Sequence, residues 1–323
     1  MHNRSRGVSM LRLIAGAVLF ALGAALFLYP VVSGWAAQRA ASAEIARALA
    51  ADRGAAVAGS GRTDMGDAAA SERKRAKDGD AAYSYLLEYN ARVASGSASP
   101  INDPWGMGSN KAELNDVGLT DGMVGSVSVP ALGATLPLYL GATRQNMAKG
   151  AAVVAGTSMP LGQTNSNCVI AAHRGAWSGL PMFRDIENIQ VGDRITIETP
   201  WDELVYHAVE TKVVSPDDTD AAAVQPGRDL VTLLTCHPYG HNYQRYLVVC
   251  ERDIEGSAAH DTGEDLLAAF VRAVGSVVEP SDSPLLVAER WLRVAGFALM
   301  AAMAVGGGAA VVRNVAHAAR RKG

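Results

Sequence analysis

Three residue types that can do acyl-transfer chemistry sit at the ends of apolar runs. A cysteine closes Leu230-Val-Thr-Leu-Leu-Thr-Cys236, a histidine closes Cys168-Val-Ile-Ala-Ala-His173, and an arginine opens Arg245-Tyr-Leu-Val-Val-Cys-Glu-Arg252. A thiol attacks a carbonyl only as thiolate, and an unperturbed cysteine has a pKa of about 8.5. Attack forms an oxyanion and then a thioester. A nearby imidazole can protonate the departing amine and later deprotonate the incoming one. A guanidinium, cationic at any working pH, can hold the substrate backbone and the developing negative charge. Taken singly, each residue has an ordinary reading: a buried structural cysteine, a surface histidine after a strand, an edge-strand cation. A residue just past a strand end, however, is exposed yet held by a rigid element, a common place for catalytic groups.

Those ends need a β-rich domain to hold them. From about Gly122 the sequence changes to short runs of β-formers separated by Gly, Pro and Asp. The pattern predicts strands over Met123–Val129, Thr135–Leu140, Cys168–His173, Arg194–Thr199, Glu203–Val214, Asp229–Cys236 and Arg245–Arg252, with a short eighth over Ala151–Val154. Pro200-Trp-Asp202 predicts a tight hairpin, and Leu180–Ile189 one or two helical turns. Seven or eight short strands with few helices imply an all-β barrel or sandwich of about 130 residues.

These residues resemble the sortase family. The resemblance rests on Thr232-Leu-Leu-Thr-Cys236, on Arg245 nine positions later, and on the upstream His173-Arg-Gly175. It extends over Gly122–Arg252, including Leu136-Pro-Leu-Tyr139 and Gly156-Thr-Ser158. It implies an eight-stranded sortase-like β-barrel and a cysteine transpeptidase with Cys236 as nucleophile, His173 as proton carrier and Arg245 as clamp. It implies no cofactor and no metal. Thr235 and His237, flanking the thiol, are expected in the oxyanion and substrate groove, with backbone N–H groups near Cys236 completing the oxyanion site. No orienting carboxylate is evident near His173, and the resemblance implies that thiolate and imidazolium coexist in only a fraction of molecules.

Within the family the chain is most similar to class C, the pilus-assembling sortases. The features that say so are Pro238-Tyr-Gly-His-Asn242, a second apolar segment near the C-terminus, and Asp103-Pro104-Trp105, which matches the class C lid. In that lid Asp103 would pair with Arg245 while Trp105 covers Cys236. The implied substrate is an LPXTG-like sorting signal, cleaved between Thr and Gly, with the acyl fragment passed to a lysine amine of the next pilin. The implied partners are pilins or surface proteins bearing C-terminal sorting signals. One departure is His237, where class C members more often carry threonine; it adds a titratable group beside the nucleophile.

The ends of the chain suggest a membrane. Residues 13–37 and 294–312 carry no charge, and each is long enough to cross a hydrocarbon core of ~30 Å as a helix. The first could be a cleaved signal peptide, but it exceeds the usual h-region of about 7–15 residues. Arg4, Arg6 and Arg12 before the first stretch, and Arg313, Arg320, Arg321 and Lys322 after the second, predict cytoplasmic termini (1–12 and 313–323) around an extracytoplasmic catalytic domain at the cell membrane. Between the spans we expect a solvated linker and helix (38–94), a lid segment (95–112), the barrel (120–255), and a further linker and helix (256–290). A formal net charge of −3 is unremarkable, the charged run Ser71-Glu-Arg-Lys-Arg-Ala-Lys77 reads as part of the solvated linker, and no basic block outside the membrane flanks points to nucleic acid as a partner.

Three cysteines are too few for a disulfide framework, and the odd count leaves at least one thiol. Cys168 precedes His173 by five residues and Cys250 follows Arg245 by five. On antiparallel strands they would share a depth of roughly 16 Å below the active site. They would then either bridge or sit two strands apart. Other readings compete with the preferred one: a zinc site built from Cys236, His237, His241 and His173, an inactive tethered β-domain, and a housekeeping sortase that attaches many proteins to peptidoglycan.

Overall fold

The computed structural model describes residues 20–21, 24–25, 28–29, 32–48, 77, 80–97, 122–175, 179–253, 284–292, 294–296 and 298. They belong to two compact units, residues 34–279 and residues 1–33 together with 280–323. In the second unit, residues 284–292 are helical. Among the described residues no helix is long and apolar enough to cross a membrane. Most of the two expected spans, the Asp103-Pro104-Trp105 segment and residues 256–283 of the expected second linker and helix lie outside the described residues.

The first unit is built on eight strands: β1 (Met123–Val129), β2 (Ala134–Leu140), β3 (Ala151–Val153), β4 (Ser166–Ala171), β5 (Arg194–Glu198), β6 (Glu203–Val214), β7 (Asp229–His237) and β8 (Gln244–Arg252). They close into a barrel in the order β1-β2-β3-β4-β7-β8-β6-β5. The pairs β2/β3 and β4/β7 are parallel and the rest antiparallel. The hairpin at Pro200-Trp-Asp202 joins β5 to β6, pairing Glu198 with Glu203.

Because side chains alternate along a strand, each strand sends one set inward. One large apolar cluster draws on all eight strands, including Cys168 and Ile170 of β4, Val231 and Leu233 of β7, and Val248 and Cys250 of β8. That cluster is the barrel interior. The opposite parity, Val169 and Ala171 of β4, Leu234 of β7 and Leu247 of β8, forms a second cluster on the outer face.

Helix α1 (Ala81–Ala94) adds Leu86, fully buried, to the interior. Its start is fixed by Asp80, which accepts from the Tyr83 N–H (3.0 Å) and from Trp201 Nε1 (2.9 Å). A short helix, α2 (Arg144–Lys149), is capped by Thr143 and buries Met147 in the outer cluster. The sequence reading did not anticipate it.

The expectation of a solvated stretch from residue 38 needs correction. Residues 34–48 are helical, with Ala41 and Ile45 buried. Gln38 donates to the Thr135 carbonyl (2.6 Å) and Tyr139 donates to Glu44 (3.0 Å), so this helix is fastened to β2.

Cys168 and Cys250 lie at one depth, since both pair with Val231 from opposite sides. Strand β7 therefore stands between them. Two strand spacings amount to about 10 Å, beyond the ~7 Å Cα reach of a disulfide. No disulfide joins any of the three cysteines, and burial pushes the Cys168 and Cys250 thiols up. Titration of the denatured, unreduced chain is expected to count three thiols; a count of one would contradict this topology.

Candidate active site

The outer face of the β4-β7-β8 segment gathers the three candidate groups. Cys236 and Arg245 are direct partners across the antiparallel β7/β8 pair. Their parity is that of Leu234 and Leu247, so both side chains belong to the outer face. On the other flank of β7, Ala171 pairs with Leu234 in parallel register. His173 follows Ala171 by two residues, as Cys236 follows Leu234 by two, and it is half-buried just past the end of β4. The ladder does continue part of the way: Ala172 N–H donates to the Leu234 carbonyl (3.1 Å) and the Thr235 hydroxyl donates to the Ala172 carbonyl (2.7 Å).

The chain just past β4 is pinned from below. The His173 carbonyl accepts from the Phe183 N–H (3.0 Å), and Phe183 is fully buried. Gly175 lets the chain turn there: its φ is +71°, and a Cβ would collide with the Pro181 carbonyl. Arg245 is 5% exposed. Its Nη1 donates to the Asn242 (2.9 Å) and Gln244 (3.1 Å) carbonyls, which sets the plane of the guanidinium.

Thr235 and His237 are placed differently from expectation. Neighbours of an outward Cys236 on a strand must point inward, and both side chains do. Thr235 is fully buried and His237 is 4% exposed. Any part they take in a substrate groove falls to their backbone groups. The same alternation removes the proposed zinc ligand set, because Cys236 and His237 lie on opposite faces of β7. His207 on β6 lies 3.6 Å from Asp253, and His241 is exposed in the β7–β8 loop with its ring 6.1 Å from that of Tyr243.

Sequence reasoning missed the inward set beneath the site. Glu187, in the 3₁₀ turn Ile186–Asn188, lies 2.9 Å from Arg174 Nη1 and 3.3 Å from His237 Nδ1. Arg174 also donates through Nε (3.1 Å) and Nη2 (2.9 Å) to the Arg184 carbonyl. The Tyr239 ring lies 5.6 Å from the Arg174 guanidinium. Parity along β7 was the available signal for the inward turn of His237.

A family model described as the Sortase domain matches residues 127–253. The crystal structure of Streptococcus agalactiae sortase C1 is 31% identical, covering 53% of this chain and 86% of that one, with a TM-score of 0.48. The chain belongs to the sortase family. A second structure, sortase C1 of GBS pilus island 1, is 28% identical, covers 68% of this sortase and 98% of that chain, and has a TM-score of 0.51. Sortase D of Bacillus subtilis (strain 168) is 27% identical over 131 residues, 40% of this chain and 63% of that protein. This sortase spans about three fifths of the length of the curated relatives it matches.

Burial lowers the pKa of His173 in this sortase from its ordinary value, because desolvation disfavours the imidazolium. The unfolded chain then binds a proton before the folded chain does, so His173 makes the fold less stable as pH falls through the ordinary histidine pKa of about 6.5. In His173→Gln the fall in Tm between about pH 7 and pH 5.5 is expected to be shallower than in wild type. Parallel curves from a pH series of thermal melts would contradict that.

Proposed function

We propose that this chain is a membrane-anchored, class C-like sortase that joins pilin subunits outside the cell membrane. The observation that carries the reading is the pairing of Cys236 with Arg245 on the outer face of β7 and β8, beside β4, whose paired end at Ala171 lies two residues before His173. In this reading the Cys236 thiolate attacks the Thr carbonyl of an LPXTG-like sorting signal, with Arg245 and backbone N–H groups facing the oxyanion. Collapse breaks the Thr–Gly C–N bond, and the His173 imidazolium gives its proton to the departing amine. Neutral His173 then takes a proton from the incoming lysine amine as that nitrogen attacks the thioester and Cys236 leaves as thiolate. Asp103, Pro104 and Trp105 are the lid over this site, and the apolar stretches near both ends are the anchors. Support for the class comes from the likeness to a sortase C1 of a pilus island over nearly all of that chain's length.

The curated relatives carry the names sortase D and sortase A, so the acceptor is the quantity to test. Full-length protein in detergent would be given an LPXTG peptide with either a lysine-bearing pilin peptide or a peptidoglycan-stem amine. The expected product is the isopeptide with the pilin lysine, identified by mass. Exclusive transfer to the stem amine would point to the housekeeping role, and no transfer to either would sink the transpeptidase reading.

A further inference from the structure

The main-chain ladder between β4 and β7 ends one residue before His173, at the Ala172–Leu234 bond. His173 and Cys236 lie on the segments that continue past it. The residue after each is Arg174 or His237, and both side chains turn inward to one carboxylate. Glu187 Oε1 is 2.9 Å from Arg174 Nη1 and 3.3 Å from His237 Nδ1, with side-chain exposures of 13%, 5% and 5% for Glu187, Arg174 and His237. Arg174 Nη1 and His237 Nδ1 are themselves 3.5 Å apart. With Arg174 already donating to Glu187, the consistent arrangement has His237 Nδ1–H donating to the same oxygen. The guanidinium cannot swing away, because its other two nitrogens are engaged by the Arg184 carbonyl. Glu187 in turn is anchored by Ile186, which is fully buried in the barrel interior.

We infer that Glu187 is a positioning residue, bracing the segments that carry Cys236 and His173 through His237 and Arg174. A carboxylate shared by two buried donors resists their separation, because moving either leaves charge unpaired in a poorly solvated interior. The inference rests on the reading of Cys236 and His173 as the reacting pair. The thiolate of Cys236 depends on its distance to the imidazolium, so loosening the brace lowers both thiolate fraction and turnover while leaving peptide binding in place.

The test compares wild type, Glu187→Gln, Glu187→Asp and His237→Thr as full-length protein in detergent. Two readouts are taken: iodoacetamide alkylation at Cys236, located by peptide mapping, and kcat and KM for a sorting-signal peptide. In Glu187→Gln, alkylation at pH 7 is expected to slow by at least about threefold. Its kcat is expected to fall by about tenfold with KM within about twofold, since small misplacements of reacting groups cost rate more than binding. Glu187→Asp, which keeps the charge, recovers part of that kcat. Should Glu187→Gln fail to fold, His237→Thr, which cuts only the link on the Cys236 side, carries the same expectation. Variants with lowered Tm but wild-type alkylation and kcat would overturn the inference, leaving Glu187 a stabilising group alone. If wild type cleaves no sorting peptide yet alkylation slows in Glu187→Gln, the brace stands and the substrate reading falls.

Discussion

Cys236→Ala is expected to leave the barrel folded and to abolish cleavage of a sorting-signal peptide. The first half follows from position: Cys236 lies on the outer face of β7 and is partly exposed. Removing its sulfur opens no hole in the interior, and the backbone pairing with Arg245 is untouched. The melting temperature should therefore stay within about two degrees of wild type. The second half follows from the other thiols, neither of which can substitute. Cys168 and Cys250 are buried in the barrel interior, at roughly 16 Å along the strands from the site, and their raised pKa values disfavour the thiolate. Without a nucleophile no thioester forms, and the loss should be at least about 10⁴-fold in kcat. Chromatography of peptide and fragments measures it. Residual cleavage above about one per cent would mean that the nucleophile is another group.

The barrel was legible because its strands obey two local rules at once. Runs such as Leu230–Leu234 are rich in branched side chains, and Gly, Pro and Asp punctuate the spaces between them. The candidate trio was legible for a related reason: each member stands at the end of such a run, where local pattern alone puts a side chain at a rim. Helix α2 was not legible, because Arg144-Gln-Asn-Met-Ala-Lys149 offers one large apolar side chain and no periodicity; Thr143 as cap and Gly150 as stop were its only marks. The helix over residues 34–48 went unrecognised as packed because Ala41 and Ile45, though four apart, sit among charges, and its hydrogen-bond partners Thr135 and Tyr139 lie on β2, far off in sequence.

The brace at Glu187 illustrates the harder limit. Thirteen residues separate Glu187 from Arg174, and fifty separate it from His237; the helical turns expected over Leu180–Ile189 do not say which residues they meet. Its position depends on Phe183 and Ile186 being drawn into the barrel interior, which is a consequence of closure and not of any local pattern. His237 was nearer to legible. Once Cys236 is set outward on a strand, alternation sends its neighbours inward, and a histidine inside a barrel needs a polar partner.

Arg245→Lys separates two roles that a cation could play at this site. A lysine keeps the positive charge, so it still favours a thiolate across the β7/β8 pair. It does not keep the planar fork. In the native chain Nη1 is committed to the Asn242 and Gln244 carbonyls at 2.9 and 3.1 Å, so a buried guanidinium is held in a fixed plane at 5% exposure. A single ammonium on a flexible stem must either satisfy those carbonyls or turn toward a substrate oxyanion, and it cannot do both in one geometry. If Arg245 acts on the transition state, the loss falls mainly on kcat, because an interaction that strengthens only as charge develops leaves KM nearly unchanged. We expect kcat to fall by about 10²–10³-fold, the range for removing one oxyanion donor, while Cys236 alkylation at neutral pH stays within about threefold of wild type. A parallel fall in alkylation and turnover would reassign Arg245 to setting the thiolate. Near-full activity in the lysine variant would mean that charge alone suffices and that the fork has no part in the reaction.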